Sequence, residues 1–161
     1  MTQTPLTIPQ HLLQQCFAHG AGTYPEEGCG LLSGPAEGDA VDGYHPIANI
    51  LNQMHAEDPQ RYPRTGVDGY FMDPREMMRL ERELAKQGRR VKVIFHTHVD
   101  VGAYFSAEDK TRALWAGEPL LPGMVYLVCG VKQRQPDGAI LAWFDDAAKD
   151  FATAPVGDGA A

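Results

Sequence analysis

His96-Thr97-His98 is followed, after seven residues, by Ser106-Ala107-Glu108-Asp109. Two imidazoles, a hydroxyl and a carboxylate at these spacings suit a divalent metal ion. In an extended strand the side chains at i and i+2 share a face, so His96 and His98 point one way and Thr97 the other. Two imidazoles then reach one ion. Asp109 supplies a third protein ligand if 99–105 folds back and a helix starts at Ser106. Three protein ligands leave one tetrahedral position open for water, which is the pattern of a catalytic zinc site rather than a structural one. Gly102 and Ala103 give the intervening loop a compact backbone path.

Each piece also has a plainer use. A histidine near a strand end commonly packs or hydrogen-bonds without binding anything. Ser106-x-x-Asp109 is also a helix N-cap, with the serine hydroxyl on the backbone N–H three residues on and an acid near the positive helix end. The two uses compete at Asp109, because a carboxylate turned to a metal is not expected to bond back to the cap as well.

Water activated by a metal still needs a base, and a glutamate from another segment is the usual one. Glu26 and Glu27, in Pro25-Glu26-Glu27-Gly28-Cys29-Gly30-Leu31-Leu32, stand at the mouth of an apolar strand. Spacing alone does not choose between them. Cys29 offers a rival chemistry, a thiol nucleophile with His96 or His98 as its base. It opens an apolar strand, however, where a free cysteine behaves as a small buried hydrophobe. His55 is a fourth imidazole candidate that the three better-spaced ligands make unnecessary.

The elements that must position these residues follow from periodicity. Leu12, Leu13 and Cys16 predict an opening helix over 8–17 that stops near Gly20 and Gly22. A strand over 29–33 ends at Gly34-Pro35, and 41–47 pairs with it through a turn at Gly38-Asp39. Pro74 at a first helical position, then Met77, Met78, Leu80, Leu84 and Gly88, predicts an amphipathic helix with both methionines in its core face. The next strand, 91–96, delivers the histidines at its C-terminal end, where sites in α/β sheets lie. Next come a helix over 106–115, a buried strand over 124–131, a turn at Pro136-Asp137-Gly138 and a last strand over 139–144. The fold class is α/β, a mixed sheet flanked by helices. The segment 48–69, with Asn49, Asn52, His55, Arg61, Tyr62 and Arg64, is long for a plain connection and reads as a substrate-gripping loop or a mobile insertion.

The 161 residues, 43% of them hydrophobic, fit one domain over 1–145 followed by a flexible tail over 146–161. A formal charge of −7 argues against a nucleic-acid or anionic-membrane footprint. No apolar run reaches the length of a membrane span and residues 1–10 lack a signal-peptide pattern, so a cytoplasmic setting is expected. Cys16, Cys29 and Cys129 contain no C-x-x-C pair, which predicts reduced buried thiols rather than disulfides or a cysteine zinc clip.

Glu27-x-Cys29-Gly30-Leu31-Leu32 together with His96-Thr97-His98-x7-Ser106-x-x-Asp109 resembles the signature of the JAMM (MPN-plus) zinc metalloprotease family, in its small bacterial single-domain branch. The likeness runs from the first helix to the last strand. It implies a cytidine-deaminase-like α/β sandwich with zinc on His96, His98 and Asp109. It also selects Glu27 over Glu26 as the catalytic glutamate and makes Ser106 a hydrogen-bond donor to the tetrahedral oxyanion. The implied reaction is cleavage of a peptide or isopeptide bond after the C-terminal glycine of a ubiquitin-like or sulfur-carrier protein, by Glu27-assisted attack of zinc-bound water. Many members carry proline after the second histidine, whereas this chain has Val99, then Asp100 and the pair Tyr104-Phe105. That departure reshapes the loop beside the substrate and leaves the ligands intact. The alternatives are a non-enzymatic scaffold, which the full set of catalytic positions disfavours, and a hydrolase of small peptides or amides.

Overall fold

The computed structural model describes residues 4–156. In chain order it contains α1 (Gln10–Thr23), β1 (Cys29–Pro35), β2 (Gly43–Ile47), α2 (Leu51–Glu57), α3 (Pro74–Lys86), β3 (Arg89–Val99), α4 (Ala107–Ala113), β4 (Leu114–Trp115), β5 (Glu118–Pro119), β6 (Val125–Lys132), β7 (Gln135–Asp145) and β8 (Asp150–Val156). Six strands form one mixed sheet in the order β2-β1-β3-β6-β7-β8, and β4 and β5 form a separate two-stranded hairpin. Only the central β3–β6 pair of the six-stranded sheet is parallel. Residues 92–98 of β3 and 125–131 of β6 are buried without a break, as strands covered on both faces must be.

The two sheet faces carry separate cores. On one, Val93, Phe95, Leu127 and Cys129 meet Leu12, Leu13, Cys16 and Phe17 of α1. Leu12 and Leu13 are almost wholly buried, each stabilising the fold by about 1.5–3 kcal/mol relative to exposure. On the other face Leu31, Ile94 and Val128 pack with Phe105, Ala113 of α4, and Met77 and Leu80 of α3. Alternation along β3 therefore sends Thr97 toward α1 and both histidines toward α4.

Several elements depart from the sequence-based expectation. The first helix continues past Gly20 and Gly22 to Thr23. Gly20 is a contact residue rather than a stop, since a Cβ there would lie 2.6 Å from Thr97 Cγ2 and 2.9 Å from Val131 Cγ2. The third helix runs as expected from Pro74, capped by Asp73, whose side chain accepts from Arg75 N–H. Of its two methionines, however, only Met77 packs inward and Met78 is exposed. The segment 48–69 is not irregular throughout, because it contains α2.

The helix expected over 106–115 is cut short at Ala113. Leu114 and Trp115 turn into the β4–β5 hairpin, where Ala116 (φ 52°) and Gly117 (φ 80°) take the two left-handed positions of a primed turn. The turn expected at Pro136-Asp137-Gly138 lies earlier, at Gln133 (φ 50°) and Arg134 (φ 67°). β7 therefore begins at Gln135, and its register to β6 shifts between Cys129 and Val131. Finally, the expected tail from 146 contains a strand, since Asp150–Val156 pairs along β7 as the sheet edge. The rest of that expected tail, 157–161, lies outside the described residues.

Candidate active site

The site forms at the C-terminal end of β3, where the chain brings three segments together. His96 and His98 project from one face of the strand, and their Nε2 atoms lie 3.2 Å apart. From the start of α4, Asp109 turns its two oxygens to them, with Oδ1 3.4 Å from His96 Nε2 and Oδ2 3.6 Å from His98 Nε2. Glu27 comes from the segment before β1, and its carboxylate lies within 4.8 Å of the two histidine nitrogens. Glu27, His96 and His98 are all buried.

Glu27 is held by its backbone. Its N–H donates to Gly66 O at 2.6 Å and its carbonyl accepts from Asn49 Nδ2 at 2.9 Å. One residue on, Gly28 N–H donates to the Thr97 hydroxyl at 2.7 Å while Thr97 N–H donates to Gly28 O at 2.9 Å. The residue between the two histidines thus clamps the segment that carries the glutamate. A side chain at Gly28 would not fit, because a Cβ there falls 2.5 Å from the His19 ring. Asn49 also bridges Gly69 O and accepts from the N–H groups of Leu51 and Phe71. Both ends of its amide are therefore committed to shaping the loop over the site.

The histidine rings are oriented by packing. Tyr70 stacks on His96 with centroids 4.4 Å apart and planes 23° apart, and Tyr104 meets His98 edge-on at 4.8 Å. Both Nδ1 atoms are buried without a hydrogen-bond partner among the described residues. Arg112 stacks on the Tyr70 ring and donates to Tyr70 O at 2.6 Å, holding that tyrosine in place.

Asp109 is placed for both of the uses that compete for it on sequence grounds. Ser106 Oγ accepts from Asp109 N–H at 3.0 Å, and Asp109 Oδ2 accepts from Ser106 N–H at 2.9 Å, a complete capping box. The same carboxylate still faces both imidazoles, since Oδ2 serves the cap and Oδ1 is left for His96.

Electrostatics follow burial. Desolvation, reinforced by the neighbouring Asp109 charge, pushes the Glu27 carboxyl up to about 9. Burial works against ionisation of Asp109 too, but the facing His96 and His98 imidazoles and the hydrogen bond from Ser106 N–H outweigh it and hold that carboxyl well below its usual range. Burial lowers His96, favouring the neutral imidazole that a metal requires. Burial also raises the Cys29 thiol to about 12, and its Sγ donates to Ile47 O at 3.4 Å, which removes the thiolate a nucleophile needs.

The donor set fits a tetrahedral metal. Ligands about 2.0–2.1 Å from an ion lie about 3.3–3.4 Å from one another along a tetrahedron edge. The His96 Nε2–His98 Nε2 and His96 Nε2–Asp109 Oδ1 separations, 3.2 and 3.4 Å, are close to that length, and the other aspartate oxygen lies 3.6 Å from His98 Nε2. Two nitrogens and one carboxylate oxygen suit zinc, iron, cobalt or manganese.

Other sequence candidates fall elsewhere. Glu26 accepts from Asn52 Nδ2 at the surface. His55 Nδ1 donates to Tyr62 O at 2.7 Å, away from the cluster. Arg64 pairs with Glu108 at 2.7 Å on the rim of the cleft. Val99 ends β3, and the next residue, Asp100 (φ 60°), accepts from the Tyr24 hydroxyl at 2.7 Å and from Gln133 N–H at 3.0 Å. That turn is fixed without proline. Nothing in the sequence singles out Thr97 or Tyr70 as a site residue, because neither is a common ligand type.

A buried glutamate facing two histidines and an aspartate at the end of a central strand defines a mixed α/β domain with a hydrolase-type candidate metal centre. A family model described as prokaryotic homologs of the JAB domain matches residues 9–144, and the chain belongs to that family. A desampylase of Haloferax volcanii is 28% identical over 160 residues, 96% of this chain and 99% of the relative. A Thermus thermophilus protein named "Probable TtuB-protein conjugate cleaving protease" is 26% identical over 127 residues, 79% of this chain and 73% of the relative. The solution structure of protein DSY2949 from Desulfitobacterium hafniense superposes with a TM-score of 0.63 at 24% identity, covering 89% of this chain and 86% of that one, and shares the fold.

Proposed function

We propose that this protein is a JAMM-type metallopeptidase that hydrolyses the peptide or isopeptide bond after the C-terminal glycine of a ubiquitin-like or sulfur-carrier protein. The observation that carries the reading is the buried Glu27 carboxylate within 4.8 Å of the histidine pair. Relatives named as a desampylase and a conjugate-cleaving protease support the substrate class. His96, His98 and Asp109 would hold the metal, with zinc the ion of choice for this donor set. When bound, zinc would supply Lewis-acid polarisation of the scissile carbonyl and would acidify water in the cleft.

The chain's own residues do the rest. Glu27, in the carboxylate form that a bound dication would favour against the cost of burial, takes a proton from water and hands it to the departing amine. Ser106 Oγ already accepts from Asp109 N–H, so its own proton is left to donate to the carbonyl oxygen as negative charge develops there. The cleft is small, about 140 Å³, and bounded by Val67, Gly69, Val99 and Tyr104. An extended glycine tail needs just such a narrow passage, and 64–69 forms its outer wall, the gripping role for part of 48–69. The catalytic unit extends through β8 rather than ending at 145. Its three free, buried cysteines suit a reducing, cytoplasmic setting.

The test is a ubiquitin-like carrier ending in Gly-Gly and extended by a short peptide, incubated with the protein and read by intact mass. Cleavage after the second glycine is expected, lost with a chelator, restored by zinc and absent in Glu27→Gln. Cleavage that persists in His98→Ala or under chelation would overturn the reading.

A further inference from the structure

A second, larger cavity of about 440 Å³ opens beside the catalytic cleft, ample for a bulky side chain since small-molecule sites begin at about 300 Å³. Its wall is mostly apolar, built from Tyr70, Met77, Phe105, Leu120, Leu121 and Tyr126. Tyr70, Asp109 and Arg112 line both spaces, so the cavity adjoins the point where the scissile bond must lie. Leu120 and Leu121, just beyond the β4–β5 hairpin, remain 53% and 44% exposed at its margin.

The proposed reaction leaves this cavity without an occupant on the acyl side. The two residues before the scissile bond are glycines and have no side chain to fill it. The residue that supplies the amine is the other group next to the bond, and it leaves with the proton delivered by Glu27. We infer that the cavity receives an apolar side chain of this leaving residue, joined through its α-amine, and so makes the enzyme selective for the first residue beyond the glycine tail. The inference rests on the reaction proposed above. The thin aliphatic stem of an isopeptide-linked lysine fills such a space less well than a branched or aromatic side chain, so linear peptide extensions with a bulky apolar first residue are the preferred class. Arg112 stands at the junction of the two spaces. Of the two arginines lining the cleft, Arg64 is paired with Glu108, whereas the Arg112 guanidinium has no ion-pair partner among the described residues. Its Nη1 donates to Tyr70 O and its face lies on the Tyr70 ring, but its charge is not neutralised by a carboxylate and is directed at the carbonyl or carboxylate of the leaving residue.

Two carriers with the same Gly-Gly tail, one continued by leucine and one by glycine, test the assignment. The leucine substrate is expected to have a kcat/KM about ten- to a hundredfold higher, and Met77→Trp, which fills the cavity, should bring the ratio close to one. A readout independent of turnover uses the metal-free protein. The Met77, Leu120 and Leu121 methyl resonances should shift on titration with a short peptide beginning with leucine and stay in place with one beginning with glycine. Equal cleavage of the two carriers, a ratio unchanged by Met77→Trp, or unmoved methyl signals would overturn the inference. If neither carrier is cut while the methyls still respond to the leucine peptide, the proposed reaction fails and the leaving-residue assignment falls with it, leaving only an apolar side-chain pocket; if both are cut equally, the reaction stands and the assignment alone fails.

Discussion

Replacing Glu27 by glutamine keeps the shape of the side chain and removes its charge, which separates the cost of burying this carboxylate from its chemistry. In the metal-free fold the group holds its proton up to about pH 9, against 4.5 as its ordinary value. Between those limits the folded chain binds one more proton than the unfolded chain, so its stability falls as pH rises. Each unit is worth about 1.4 kcal/mol, so this single group removes about 4 kcal/mol between pH 5 and pH 8. Glu27→Gln should lack that slope. In a chelator-treated sample its melting temperature should overtake that of the parent protein by roughly 10 °C at the upper end, at about 2–4 °C per kcal/mol for a chain of this size. Thermal unfolding followed by circular dichroism at several pH values gives the comparison directly. Zinc should flatten the parent protein's slope, because a nearby dication offsets the cost of the carboxylate charge. The variant should also retain close to one zinc per chain by elemental analysis while turnover falls by about 10²–10⁴-fold. Parallel pH curves for the two metal-free proteins would refute the claim that Glu27 is desolvated by the fold, and near-normal turnover would place the base elsewhere.

Other expectations follow from single contacts. Asn49→Ala removes four hydrogen bonds around Glu27 and its covering loop and should cost about 2–4 kcal/mol in denaturant unfolding, with kcat falling more than KM rises. Gly20→Ala forces a methyl against Thr97 Cγ2 and should destabilise the fold by about 1–3 kcal/mol, lowering zinc affinity as the strand between the two histidines shifts. Tyr70→Ala frees the His96 ring and should weaken zinc binding by about tenfold in a competitive chelator titration, at the low end of what losing a support to a metal ligand costs. Cys29→Ser should keep full activity, since a thiol raised to about 12 takes no part at neutral pH.

The metal-ligand half of the candidate site was legible because it depends on local geometry. The two histidines sit on one strand face, and the Ser106–Asp109 pair opens a helix, whatever the remainder of the chain does. The misread elements failed for reasons of context. Gln133 and Arg134 carry no turn signal, yet they take left-handed backbone because the β6–β7 pairing requires a tight connection. Pro136-Asp137-Gly138 carries a strong one and is absorbed into the start of β7. Gly20 and Gly22 look like helix stops, and Gly20 proves to be the close-approach point of α1 on the sheet.

By itself the sequence determined the fold class, the candidate ligand set and the common face of His96 and His98, because side-chain alternation and helix capping are properties of a few consecutive residues. Spacing left Glu26 and Glu27 open and only the resemblance chose Glu27, since the physical choice depends on how residue 27 is held against residue 97. The tertiary structure supplies the physical cause, through the reciprocal Gly28–Thr97 bonds, the Asn49 clamp and the β1–β3 register that sets Cys29 opposite His96. It also decided the apolar cavity beside the cleft, whose walls come from segments as distant as Tyr70 and Tyr126. Such contacts are fixed by how sheet and helices close on one another, and no local pattern in the chain encodes them.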